Sequence, residues 1–308
     1  MPQNVYVLPI KTIEAMKQYY HNSLSNVPQG AIFRAKTENA VITAYKSGKV
    51  LFQGSSPETE AMKWTNQKST QQKKATSSAS HTYSPPQSLF TNSHIGSDEA
   101  GTGDYFGPIT VASAFVTSEN IPILKQIGVK DSKNLTDATI MELSKEIVKL
   151  NIPYSLLILH NKKYNTLQDR GWTQGKMKAM LHHHAITNLL QKIDESPVKG
   201  ILIDQFCEPH VYKRHIASEK QNLHDNTYFM TKAESYSIAV AAGSIIARAS
   251  FVKEMDRLSE MIGIPLKKGA SKAVDQTIAK IIKDKGEAVL NNYAKLHFAN
   301  TKKARAYL

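Results

Sequence analysis

The sequence predicts an α/β protein, a mixed sheet flanked by helices, preceded by a small α+β domain. Three observations carry this expectation. The run "NQKSTQQKKATSSASHTYSPPQS" (66–88) is nearly free of aliphatic residues and separates two regions with hydrophobic patterns of their own. The first region holds short β-rich runs between two helical patterns. The second opens with successive β-rich runs and then alternates strands with helical stretches. A segment rich in Ser, Thr, Gln and Lys cannot bury enough apolar surface to order itself, so 66–92 reads as a linker between domains 1–65 and 93–308.

In the first domain, "NVYVLPI" has strand character and "TIEAMKQYYHNSL" carries apolar residues at helical spacing. "GAIFRAKT", "NAVITAYKSG" and "KVLFQGS" follow as strands, with Ser47-Gly48 as the hairpin turn between the last two. "PETEAMKWTNQ" closes the domain as a helix with Pro57 in its first turn. In the second domain, "HIGSDEA" is a strand that breaks at Gly101, "GPITVASAFVTS" a second strand and "YSLLILH" a third. "TQGKMKAMLHHHAITNLLQKI" is helical, "GILIDQF" has the short apolar run of a buried strand, and "NTYFMT" is a further strand. A long helix is expected from about Glu234, so rich in Ala, Ser and Gly in its first half that another element must pack close against it. Two helical stretches over 272–298 and a basic tail complete the chain.

At 308 residues there is room for one large domain or two smaller ones. The balance of 39 Lys+Arg against 26 Asp+Glu, a net charge of +13, points to a polyanionic partner, nucleic acid foremost. Solubility is the plainer reading of the same excess. The single cysteine, Cys207, excludes an internal disulfide and a cysteine zinc cluster and fits a reducing cytoplasm. No basic leader with an apolar core opens the sequence, and no apolar run approaches the roughly 20 residues of a membrane span. A cytoplasmic protein without membrane attachment is expected. Nothing argues for an oligomer or an obligate protein partner, so a monomer is expected.

Against this positive charge, "GSDEAGTGDYFGP" (96–108) places two acids beside a glycine-rich stretch. Neighbouring strand side chains point to opposite faces, so Asp98 and Glu99 can serve one site only if the backbone turns directly after them, which Gly101 and Gly103 permit. An exposed acidic turn is the plainer reading. Asp204 interrupts the apolar "ILID", where a carboxylate must be paired, metal-bound or at the strand's end. Glu234 fits a capping box with Thr231, and equally a helix end holding a carboxylate at a metal site. Together, Asp98, Glu99, Asp204 and Glu234 form a carboxylate set suited to Mg²⁺ or Mn²⁺. Two such ions about 4 Å apart can activate water and stabilise a leaving oxygen in phosphodiester cleavage.

"SDEAGTGDYFGP", "VKDSKNLTD", "ILIDQF", "KAES…SIIARASF" and "KLHFANTKKA", taken in order, resemble bacterial ribonuclease HIII, the type 3 member of the ribonuclease H family. The resemblance runs through most of 94–305, and "VITAYKSGKVLFQG" is similar to that family's TATA-binding-protein-like domain. It implies a ribonuclease H-like fold and an endonuclease that cleaves the RNA strand of RNA–DNA hybrids, using Mg²⁺ or Mn²⁺ and leaving 5′-phosphate and 3′-hydroxyl ends. It implies metal-binding, catalytic roles for Asp98, Glu99, Asp204 and Glu234. Gly101, Thr102 and Gly103 match the loop whose main chain reads the ribose 2′-hydroxyl, and Lys133 matches a substrate contact. The sister type, ribonuclease HII, would usually show "GRG" for "GTG" and aspartate for Glu234, and usually lacks the N-terminal domain. Gly243 stands where alanine is expected, a change that weakens a helix by up to ~1 kcal/mol.

Other patterns carry less. "GTGDYFG" lacks the Lys-Ser/Thr of a phosphate loop. His182, His183 and His184 diverge around a helix and cannot close on one ion, so they read as a partly exposed helix face. Lys130, Lys302 and Lys303 are candidate phosphate contacts or ordinary solvated lysines. Tyr45, Lys46, Lys49 and Phe52 surround one hairpin as a possible stacking and charge platform, of which strand alternation would bury about half.

Overall fold

The computed structural model describes residues 3–28, 30–65, 82–130, 132, 135–193 and 198–308. The chain divides into two compact units, Met1–Ser77 and Ser78–Leu308.

The first unit is built from β1 (Gln3–Val7), α1 (Ile10–Tyr19), β2 (Ala31–Lys36), β3 (Val41–Tyr45), β4 (Lys49–Gln53) and α2 (Pro57–Met62). Its four strands form an antiparallel sheet in the order β1-β4-β3-β2. Alternation along β2, β3 and β4 sends Phe33, Ala35, Ile42, Ala44, Val50 and Phe52 to one face, where they pack with Ile13 and Met16 of α1 and Ala61 of α2. Gly48 turns the β3–β4 hairpin at φ +82°, a conformation few other residues adopt. Phe52 is therefore core and not part of a surface platform, whereas Lys46 and Lys49 are exposed and Tyr45 half-buried.

The second unit comprises β5 (His94–Ala100), β6 (Ile109–Val116), α3 (Asn120–Gln126), α4 (Asp137–Lys149), β7 (Tyr154–Leu159), α5 (Asn161–Asp169), α6 (Gln174–Lys192), β8 (Ile201–Asp204), α7 (Pro209–Ala217), β9 (Thr227–Met230), α8 (Ile238–Ile262), α9 (Lys272–Lys285) and α10 (Asn300–Ala304). The five strands lie in the order β7-β6-β5-β8-β9. β5, β6 and β7 are antiparallel neighbours, while β8 runs parallel to β5 and β9 parallel to β8. The expected mixed sheet flanked by helices is what forms, with α4 and α8 contributing to the core on one face and α6 and α7 on the other.

The seat of α8 on the sheet explains its small residues. A Cβ on Gly96 of β5 would lie 2.0 Å from the Val240 nitrogen, and one on Gly243 of α8 would lie 2.9 Å from the Ala112 carbonyl oxygen. Gly243 is thus a close-packing glycine: alanine there would press on backbone, so its effect is contact with the sheet and not a loosened helix. Thr110 fastens the same seam, donating from its hydroxyl to Ala247 O at 2.8 Å.

Two boundaries differ from the sequence reading. Residues 82–92, assigned to the linker, belong to the second unit: Leu89 is buried, and Phe229 N donates to Tyr83 O at 2.9 Å. The rest of the linker lies outside the described residues. The long helix begins at Ile238, capped by the Ser237 hydroxyl, which accepts from Val240 N at 3.1 Å and lies 2.7 Å from His94 Nε2. Glu234 sits before it, in the short 3-10 turn Ala233–Ser235, so no Thr231 capping box forms. The basic tail is helical, with Asn300 and Ala304 buried and Lys302 and Lys303 exposed.

Candidate active site

Strand order builds the site. The last paired rung of β5 and β8 is Ser97 with Ile203, and the next residues along the two parallel strands are Asp98 and Asp204. Asp204 pairs with Met230 of β9, after which the chain reverses through Lys232, at φ +56°, into the turn that carries Glu234. Ala233 N donates to Asp204 Oδ1 at 2.8 Å and ties that turn to the strand beside it. Three carboxylates therefore gather at the carboxyl ends of three neighbouring parallel strands, where open α/β sheets bind ligands. Each of Asp98, Asp204 and Glu234 offers one oxygen, and the three oxygens lie within 4.8 Å of one another. Asp98 and Glu234 are buried and Asp204 half-buried.

Burial pushes the Asp98 carboxyl well above the usual carboxylate range, and the charges of Glu99 and Asp204 push it further. The hydroxyl of Ser244 on α8 and the Glu99 amide, which donates to Asp98 Oδ1 at 2.7 Å, pull the other way without prevailing. An all-oxygen set under such like-charge repulsion has the chemistry of a hard divalent cation site, since a cation would relieve the repulsion and oxygen ligands suit it.

Glu99 stands apart from this group. β5 stays paired with β6 through Ala100, so the chain does not turn after Glu99, and adjacent side chains take opposite faces. Asp98 faces α8 and Glu99 faces α6, where Lys178 Nζ lies 2.8 Å from one carboxylate oxygen and His182 Nε2 2.9 Å from the other. Burial alone would raise the Glu99 carboxyl, but His182 and Lys178 outweigh it and bring it down to about 2. His182 Nδ1 in turn lies 2.7 Å from Ser97 Oγ, which accepts from Ser113 Oγ at 2.9 Å. The Phe206 ring closes the arrangement, stacked on His182 and lying under Lys178 at 4.1 Å.

The reading of the three histidines as a partly exposed helix face holds only for His184. His182 and His183 are buried, and His183 stacks on His224 at 4.9 Å. Lys178 and His182, one helical turn apart on α6, were both missed as partners of Glu99, although their i,i+4 spacing on that helix was visible.

The loop after β5 divides its glycines between two tasks. Gly101 has φ +86°, and a Cβ there would lie 2.3 Å from Pro108 O and 2.7 Å from the Phe251 ring. The fold itself requires that glycine. Gly103 has no such φ, is exposed, and nothing stands within 4 Å of where its Cβ would be. Thr102 O accepts from Gln174 Nε2 at 3.1 Å. Lys133 lies outside the described residues. Its neighbour Ser132 is held beside the site, with its hydroxyl 2.8 Å from that of Ser244 and its carbonyl accepting from Arg248. Lys130 is exposed.

Comparison with known proteins agrees with this architecture. The ribonuclease HII family model matches residues 95–301, and a domain of unknown function (DUF3378) matches 3–77. The chain is 62% identical over its full length, and over the full length of the relative, to ribonuclease HIII of Oceanobacillus iheyensis. The chain belongs to the ribonuclease HIII family. As a member of that family it is a ribonuclease H, a hydrolase. Ribonuclease HIII of Bacillus mycoides is 53% identical over 95% of this chain and 94% of its own. A solved structure described as Bst-RNase HIII in complex with Mn²⁺ superposes with a TM-score of 0.70 at 41% identity, covering 99% of each chain. Among the described residues, no helix is long and apolar enough to cross a membrane.

Proposed function

We propose that this ribonuclease H cuts the RNA strand of RNA–DNA hybrids at the site formed by Asp98, Asp204 and Glu234, leaving 5′-phosphate and 3′-hydroxyl ends. The observation that carries the reading is the convergence of these three carboxylate oxygens within 4.8 Å at the ends of β5, β8 and β9. When bound, one or two divalent ions, Mg²⁺ or Mn²⁺, supply an activated water and neutralise charge on the leaving oxygen. Asp98, Asp204 and Glu234 would hold the cation, and the Ala233 amide, donating to Asp204 Oδ1, fixes that carboxylate in place. Family resemblance adds Glu99 as a fourth ligand. For that carboxylate, binding metal means giving up some of its contact with Lys178 and His182.

The Gly101–Gly103 loop supplies selectivity. Exposed main chain at Gly103, with open space where a side chain would be, lets the backbone approach a sugar edge and hydrogen-bond a 2′-hydroxyl. Cleavage of an RNA–DNA hybrid beside an all-DNA duplex tests the reading, with and without chelator. The wild type is expected to cut only the hybrid, and only with divalent metal. Gly103→Val is expected to cost at least tenfold in kcat/KM with an unchanged Tm, because its side chain enters the substrate's space and not the protein's. Equal cutting of both duplexes by the wild type would remove the hybrid reading. An unaffected Gly103→Val would remove the loop's role alone.

Residues 1–65 act in this proposal as a substrate anchor without chemistry, raising the local concentration of hybrid through a tether. Lys46 and Lys49 at the β3–β4 hairpin offer exposed charge for phosphates. The second unit has hydrophobic clusters of its own and includes Tyr83 and Leu89, so truncation is placed ahead of these residues. A chain of residues 78–308 is expected to fold, keep single-turnover cleavage at saturating hybrid, and bind hybrid at least tenfold more weakly. Unchanged binding, or lost chemistry at saturation, would contradict the anchor role.

A further inference from the structure

The side chain of Lys295 is completely buried. A lysine is among the residues least often found in an interior, and removing its charge from water costs several kcal/mol unless hydrogen bonds compensate. Here the compensation goes to main chain: Nζ donates to Asp104 O at 2.8 Å and to Gly107 O at 2.6 Å. These two carbonyls bracket the segment that follows the Gly101–Gly103 loop. The surrounding bonds converge on the same segment. Lys295 N donates to Tyr105 O at 2.8 Å, Gly107 N to Tyr293 O at 2.9 Å, and Tyr105 N to Gly269 O at 3.0 Å. The Asp104 carboxylate accepts from Gly269 N, the Tyr105 hydroxyl lies 2.9 Å from Thr301 Oγ1, and Asn161 Nδ2 donates to Gly107 O at 2.8 Å. The charged and titratable groups facing the ammonium are the Asp104 carboxylate, the His297 imidazole and the Tyr164 ring, whose centroid is 6.0 Å away.

Most of these bonds would hold the segment to the C-terminal region whatever side chain stood at 295. What the lysine head adds is a bridge between two carbonyls that fixes how both peptide planes are turned. The plane that carries the Asp104 carbonyl joins Asp104 to Tyr105, so the bridge anchors the chain one residue beyond Gly103, the loop's exposed glycine.

We propose that Lys295 is a positioning residue for substrate selectivity: by bridging Asp104 O and Gly107 O it sets the orientation in which the Gly101–Gly103 main chain meets the ribose. This rests on the reading of that loop given above. Burial pushes the Lys295 amine down to about 7, with Asp104 opposing, and the neutral amine still carries two N–H donors for the two carbonyls. The bridge therefore survives deprotonation.

The test is Lys295→Met in the full chain, which keeps the length of the side chain and removes its donors. The expected result is a folded protein with a Tm somewhat below wild type, since Asp104 O loses this donor while Gly107 O keeps that of Asn161. Its kcat stays within about threefold, KM for hybrid rises roughly tenfold, and preference for hybrid over a substrate with a 2′-deoxy sugar at the cut falls by a similar factor. A second readout follows from linkage. The folded chain releases the Lys295 proton near pH 7 and the unfolded chain near 10.4, so wild-type stability gains from this group as pH rises between those values. Lys295→Met should lack that gain.

Should Lys295→Met not fold, Asn161→Ala, which removes the other side-chain donor to Gly107 O, is expected to shift KM and selectivity in the same direction by a smaller factor. A folded Lys295→Met with wild-type KM and selectivity would overturn the proposal, as would an Asn161→Ala without effect where Lys295→Met cannot be measured. A wild type that showed no hybrid preference would instead overturn the loop reading on which it rests.

Discussion

Asp98→Asn and Asp204→Asn are each expected to lose about 10³-fold or more of turnover on an RNA–DNA hybrid, equivalent to roughly 4 kcal/mol, while binding it with near wild-type affinity. The two carboxylates stand side by side at the ends of β5 and β8, and with Glu234 they bring three oxygens within 4.8 Å. An amide keeps the shape but offers a weaker, neutral ligand. Phosphate contacts are proposed for exposed lysines outside this carboxylate group, and on that proposal affinity should survive. Stability separates this account from simple misfolding. In metal-free protein, burial and the charges of Glu99 and Asp204 hold the Asp98 carboxyl high, so ionised Asp98 is a burden on the fold. That burden is absent below the unfolded carboxyl pKa near 3.9 and grows as pH rises towards the higher folded value. Asp98→Asn removes it. The variant should therefore be at least as stable as wild type in chelator at neutral pH, and its Tm should respond far less to added Mn²⁺ or Mg²⁺. Near wild-type turnover, or an undiminished metal-induced Tm rise, would contradict the assignment.

Gly96→Ala is expected to destabilise the second unit by about 3 kcal/mol or more, a large effect for one methyl group. The added Cβ would lie 2.0 Å from Val240 N and 2.2 Å from the Ala239 carbonyl carbon, so it meets helix backbone and no side chain can swing away. Either α8 lifts from the sheet or β5 bends. Both moves disturb Asp98, two residues further along the same face, and its contact with Ser244. Chemical denaturation of the variant should show a lower midpoint with an unchanged slope. A change below 1 kcal/mol would mean that the helix–sheet seam has slack that these distances do not allow.

The fold and the carboxylates of the candidate site are legible for identifiable reasons. Asp204 announced itself because a carboxylate ends an apolar run, and a buried strand tolerates that only at a functional or terminal position. The small residues of α8 announced a close neighbour, and Gly96 and Gly243 are where that neighbour touches. The start of α8 was less legible. Thr231, Ser235 and Ser237 are all competent N-caps, and the choice of Ser237 depends on a long-range contact with His94. In the sequence, Glu99 reads as a companion of Asp98 because sequence neighbours look like spatial neighbours. Its actual partners, Lys178 and His182, are 79 and 83 residues away, and the regular pleat of β5 turns it from Asp98. Lys295 gave no sign of burial, since lysine in a polar stretch near a chain end reads as surface.

Three of the bonds that hold Asp104, Tyr105 and Gly107 join residues separated by 188 to 196 positions, linking the segment just after the first strand of the unit to Lys295 and Thr301. Different parts of a fold can open separately, at different free energies. Here residues 293–301 are fastened to the segment that follows the loop proposed to examine the sugar. Transient opening of residues 293–301 would release that segment while leaving Asp98, Asp204 and Glu234 on their strands. On the proposed role of that loop, its order depends on residues 293–301, and the fidelity of substrate choice and the capacity to cut would have separate thresholds for failure.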